Sequence, residues 1–133
     1  MRITLWTLSL VAVILLSNLQ AEGHHSFGAT YNVDKQVTLK GTLVQIAFRS
    51  PHSFFFVEAK DANGTVQRWT IEGAAGTQFA RQGVDKDAFK IGDPVEVIGN
   101  PSRTPNSPRA ILIKITRTTD GKSWGGRIGE SVD

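Results

Sequence analysis

Apolar and polar residues alternate from position 37 to 43, with Val37, Leu39, Gly41 and Leu43 on one side and Thr38, Lys40 and Thr42 on the other. A period of two predicts a strand with one face inward. After Leu43 the phase inverts, and Val44, Ile46 and Phe48 become the apolar set. One extra residue swaps the faces of a strand, so the inversion predicts a bulge or strong bend between Gly41 and Val44. The corner Arg49-Ser50-Pro51-His52 then turns the chain back. Residues 53–58, aromatic and β-branched, form the predicted second strand.

Beyond this pair the punctuation is regular. Asn63-Gly64 tolerates the positive φ of a tight hairpin and leads into a third strand over 66–71, with Trp69 and Ile71 on one side. Residues 77–82 read as a short helix ended by Gly83. Gly92-Asp93-Pro94 turns the chain into a fourth strand over 95–99. Residues 100–109 hold three prolines and read as a loop. A fifth strand spans 110–116, with Ile111, Ile113 and Ile115 assigned to one face and Lys114 to the other. Asp120-Gly121 makes a last hairpin turn before Trp124. Three strands, one short helix and two strands give an all-β chain with one short helix, in the order of a small five-stranded OB-like Greek-key barrel. A plain antiparallel sandwich is the alternative. The bent first strand and the placement of the helix favour the barrel.

The first residues follow a different logic. Arg2 precedes a nearly unbroken apolar run over 5–16 and a polar exit over 17–20, the three parts of a secretory signal. The run is shorter than the roughly 20 residues that span a bilayer. Cleavage after Ala21 or after Gly23 satisfies the small-residue rule. The expected division is a signal peptide over 1–23, a barrel domain with an N-terminal arm over 24–124, and a loose tail over 125–133. A periplasmic or secreted protein with no transmembrane segment after cleavage follows. Phe27 and Tyr31 are the apolar anchors able to tie the arm down.

At 133 residues the chain is long enough for one domain. It has no cysteine, which excludes disulfides, thiolate metal sites and a cysteine nucleophile. Cleavage after Ala21 removes Arg2 and leaves 14 basic against 12 acidic residues, a net +2, and cleavage after Gly23 also removes Glu22, for a net +3. So small a positive charge argues against nucleic acid as a partner.

Four stretches in order carry a family resemblance: His24-His25-Ser26-Phe27, residues 37–42 (Val-Thr-Leu-Lys-Gly-Thr), Pro51-His52, and residues 90–95 (Lys-Ile-Gly-Asp-Pro-Val). Together they resemble domain-of-unknown-function family 6152, short exported bacterial proteins, from His24 to about Gly121. Members typically have Asn-Pro-His at the corner, where this chain has Ser50-Pro51-His52. They also tend to have an acidic residue where this chain has Thr30. The resemblance implies an envelope location and a small β-barrel, and no established activity.

Candidate chemistry centres on the three histidines, His24, His25 and His52. Imidazole is the commonest metal ligand, and a free terminal amine beside His24 forms a ready chelate. Nitrogen-only donors suit Cu(II), which stands at the top of the affinity order. Copper is therefore the expected ligand, with His24 the main ring donor and His25 or His52 secondary. The plainer alternative is an uncommitted arm beside a turn histidine. A second candidate is an anionic-ligand or oligosaccharide site built from Arg49, Arg103 and Arg109 with Trp69 as a stacking surface. A third is a structural module that docks another envelope protein. Glu58, Glu72 and Glu96 have no spacing that pairs acid with base, Ser50 and Ser53 flank His52 without an evident acidic orienter, and residues 73–76 lack the lysine of a phosphate loop. No enzyme is expected. The mature protein should begin at Glu22 or His24, and the intact mass of protein recovered from the envelope checks this.

Overall fold

The first strand, β1 (Val37–Ala47), belongs to both halves of a barrel. A computed structural model, which describes residues 26–84 and 87–125, pairs it antiparallel with β4 (Pro94–Pro101) over residues 37–42 and with β2 (Ser53–Lys60) over residues 41–47. The register against β2 shifts between Leu43 and Gln45, so Val44 is the extra residue that inverts the phase. The predicted bend is therefore a bulge.

β2 pairs with β3 (Val66–Gly73), and β4 with β5 (Arg109–Arg117), both antiparallel. A short parallel pairing, residues 70–72 of β3 with 109–111 of β5, closes the sheet on itself. The result is a closed five-stranded barrel with the predicted OB-like strand order. A sixth short strand, β6 (Ser123–Gly125), adds to β5 and carries the fold one residue past the expected domain end. The arm contains one helical turn, α1 (Ser26–Thr30), and the connection from β3 to β4 holds α2 (Gly76–Arg81), one residue earlier than the sequence suggests.

Alternation decides what fills the barrel. Along β2, Ser53, Phe55, Val57 and Ala59 are buried while the intervening residues face out. Phe55 is fully enclosed and meets Phe48, Phe79 of α2 and Phe89 edge-on, with ring centroids 5.5–5.9 Å apart. Burial of each such ring contributes about 1.5–3 kcal/mol. The fifth strand departs from its predicted pattern. The β4–β5 register shifts beside Ile98 and Gly99, which face Lys114 and Leu112 and leave Ile113 unmatched. The core side of β5 is consequently Ala110, Leu112 and Ile115, and Ile111 lies on the opposite face. At the β2–β3 turn, Asp61 Oδ1 accepts the backbone N–H groups of Asn63 and Thr65 at 2.8 and 2.9 Å, and Gly64 takes a φ of 81°. Among the described residues no helix is long and apolar enough to cross a membrane.

Gly41 sits where β1 bends across β2, and a Cβ there would lie 2.1 Å from the Glu58 carbonyl oxygen. Gly28 in α1 has nothing within 4 Å of the same position. Gly41→Ala should destabilise the barrel by about 2–3 kcal/mol through forced backbone displacement, and Gly28→Ala by far less. Urea midpoints of the two variants measure the difference.

Candidate functional site

Glu72 is an outward-facing residue that is nonetheless buried. It pairs across β2–β3 with Phe54, which alternation places outside the barrel, yet only 9% of Glu72 is exposed. The covering comes from the arm. Tyr31 follows α1, bridges to Ser102 and is 1% exposed. Its phenol donates to Glu72 Oε2 at 2.5 Å. His52, on the corner before β2, places Nδ1 2.8 Å from Glu72 Oε1. Arg109, brought alongside by the parallel closure, has Nη2 3.9 Å from Oε2. Three side chains far apart in sequence thus converge on one carboxylate, and no buried side-chain polar atom among the described residues lacks a hydrogen-bond partner.

Local structure fixes each donor. The corner contains a cis Ser50–Pro51 bond and is tied to β3 and α2 through Ser53 N–H to Ala74 C=O and Gly76 N–H to Arg49 C=O, both 3.0 Å. The arm is strapped to the β4–β5 end of the barrel. Asn32 N–H donates to Pro101 C=O at 2.8 Å, and Asn100, itself buried, donates from Nδ2 to Lys35 C=O at 2.6 Å. Arg103 donates its backbone N–H to Thr30 C=O and Nε to Gly28 C=O. Phe27 packs on the imidazole, its ring centroid 5.4 Å from that of His52.

Burial, reinforced by the bond to Glu72, pushes the Tyr31 phenol well above the usual phenol range. It is held as a neutral donor. His52 keeps 28% of its side chain exposed while its Nδ1 lies against Glu72. A carboxylate behind one ring nitrogen and an open second nitrogen is the arrangement that orients ligating histidines.

The predicted residues separate accordingly. His52 and Arg109 come together on Glu72. Arg103 straps the arm. Arg49 is exposed at the corner, where its backbone holds α2. Trp69 shares the inward side of β3 with Ile71 and packs against the core, so it does not join the arginines. His24 and His25 lie outside the described residues, and among those described no group of three or more His, Asp or Glu side chains gathers to hold a metal. Sequence reasoning took Tyr31 only as an anchor of the arm and Glu72 only as an acid without a spaced partner, and assigned neither to a site. The available signal was a lone acidic residue inside the small and apolar run 71–74.

The fold and the arm define a small OB-like β-barrel whose N-terminal segment is sealed onto its outer face by a buried carboxylate. The chain belongs to a family of unknown function (DUF6152), which matches residues 12–110. No curated protein matches the chain.

Tyr31→Phe removes one donor from a buried carboxylate and should cost about 1–3 kcal/mol. Because the folded phenol titrates above its unfolded value of about 10, its contribution is whole below that pH and is lost as pH rises beyond it. The stability gap between wild type and Tyr31→Phe should narrow in denaturant melts carried from pH 8 to pH 11.

Proposed function

We propose that this chain is an exported protein that binds a transition metal, Cu(II) by preference, with His52 as the ligand borne by the barrel. The supporting observation is the 2.8 Å contact of His52 Nδ1 with Glu72, which orients the ring as an outer carboxylate does at metal sites. One imidazole does not hold copper, so the remaining donors come from the arm. Phe27 packs on the His52 ring. His25 precedes Phe27 by two residues, so its Cα is within about 7 Å of that of Phe27 along any chain path. His24 is one residue further, and leader cleavage after Gly23 makes its amine a fourth nitrogen. Two or three imidazoles with an amine form the nitrogen-rich set that favours Cu(II).

On this reading His52 anchors the site, because Glu72 orients its ring. The role is binding, not turnover. Ser53, the hydroxyl beside His52 in sequence, is buried and accepts the Arg49 N–H at 3.4 Å, so it is not presented to the imidazole as a nucleophile.

Copper titration of the mature protein, read by calorimetry and by the nitrogen hyperfine pattern in electron paramagnetic resonance, tests the site. Wild type should take one equivalent. His52→Ala should lose one nitrogen from the spectrum and bind at least tenfold more weakly, and Glu72→Gln should weaken binding by about 10–100-fold. The double variant His24→Ala/His25→Ala should lose the site. Equal uptake by all four proteins would sink the proposal, and loss only in the arm variant would move the site off the barrel.

A further inference from the structure

The turn between β2 and β3 carries chemistry that the metal reading does not use. Residues 61–65 read Asp-Ala-Asn-Gly-Thr. Asn-x-Ser/Thr, with x other than proline, is the acceptor sequence for glycan transfer to the asparagine amide. We infer that Asn63 is an N-glycosylation site, modified on the folded protein by an envelope oligosaccharyltransferase whose donor is a lipid-pyrophosphate-linked oligosaccharide. The inference rests on the export of the chain, which it shares with the proposed function, and on no residue of the metal site.

The structure separates this asparagine from its nearest rival. One other asparagine has a serine or threonine two places on, Asn100 in Asn100-Pro101-Ser102. Its central residue is proline, it is 1% exposed, and its Nδ2 donates to the Val33 and Lys35 carbonyls at 3.3 and 2.6 Å. Asn63 differs on every count. Residues 62–68 are all exposed. Val66 at the start of β3 is 55% exposed, so no described element packs over this end of the hairpin. Among the described residues no hydrogen bond engages Asn63 Nδ2 or Thr65 Oγ1, and only the backbone N–H groups of these two residues donate to Asp61 Oδ1. Transferases of bacterial envelopes also read an acidic side chain two places ahead of the asparagine. Asp61 occupies that place, with Oδ2 outside the bonds of the turn.

A transferase has to bend the acceptor backbone to bring the amide to its donor. The bonds in the way lie within residues 61–65. They are the two to Asp61 Oδ1, Asp61 N–H to Thr65 C=O at 2.9 Å, and Gly64 N–H to Asp61 C=O at 3.0 Å. Breaking them withdraws no side chain from the core, so the opening is of the local, low-energy kind found at exposed turns. At Gly64 the space where a Cβ would stand is empty to 4 Å, which leaves the approach to Asn63 unobstructed. In the transfer, Asn63 Nδ2 bonds to the anomeric carbon of the first sugar while the bond from that carbon to the pyrophosphate oxygen breaks. The lipid pyrophosphate leaves with the electron pair, and one amide proton passes to solvent. The attached glycan then stands at the far end of β2 from His52, about 27 Å along the strand.

Folded mature protein is incubated with a purified bacterial oligosaccharyltransferase and an undecaprenyl-pyrophosphate-linked oligosaccharide, and intact mass with peptide mapping reads the product. One glycan should be added, on the peptide that holds Asn63. Asn63→Gln and Thr65→Val should abolish transfer, and Thr65→Ser should retain it. Asp61→Asn, which keeps an oxygen for the turn, should slow transfer about tenfold. Urea midpoints matching wild type separate a lost acceptor from a lost fold. No transfer to the folded protein, transfer that persists in Asn63→Gln, or a mass change confined to deamidation of Asn63 would each overturn the inference. The full chain is also expressed in a bacterium that carries the transferase, where leader-free periplasmic protein should bear the glycan. Leader-free protein recovered there without it would overturn the inference, whereas a leader-bearing chain beside successful transfer in vitro refutes export and upholds the acceptor.

Discussion

One carboxylate carries more of this molecule than any other single group. Glu72 stands on the outside of the barrel by the alternation of β3, where water would ordinarily solvate it. Burying it beneath the arm costs several kcal/mol in lost solvation. That loss is offset only because a phenol at 2.5 Å and an imidazole at 2.8 Å replace the water, with Arg109 close by. Removing any one donor leaves the others around an under-satisfied charge. The arm, the corner and the barrel closure are consequently tied to each other through the same two oxygen atoms.

The barrel itself was largely legible in the sequence, and for identifiable reasons. Period-two alternation, the phase inversion after Leu43 and the Asn63-Gly64 turn are local signals, and each survives into the fold because its cause is steric and nearby. Failures came where the cause is remote. The face of β5 was misassigned because the bulge that displaces Ile113 arises from the pairing with β4, not from the β5 sequence. The helical turn of α1 has no acidic residue in its first turn and no basic residue in its last, and its hold comes from Arg103, about 75 positions away along the chain.

The site divides in the same way. His52 and Arg109 were visible as residue types suited to binding, and Phe27 and Tyr31 as anchors. What brings them together is the parallel pairing of residues 70–72 with 109–111 and the bridge from Tyr31 to Ser102. Neither leaves a mark in the sequence, since both join segments more than 35 positions apart. Trp69 shows the converse. As an aromatic near arginines it invited a ligand role, but its neighbour Ile71 shares its side of the strand and the pair turns inward.

The strapping of the arm bears directly on what the proposed metal site requires. Hydrogen bonds from Asn32, Asn100 and Arg103 hold the segment from Gly28 to Lys35 without any contribution from the histidines. Phe27 is then placed on His52 by the fold alone. Whatever binds at His52 therefore meets an arm whose described part is already fixed by the barrel. The buried carboxylate thus has two consequences from one geometry: through Tyr31 it fixes the arm, and through the 2.8 Å contact with Nδ1 it sets the His52 ring.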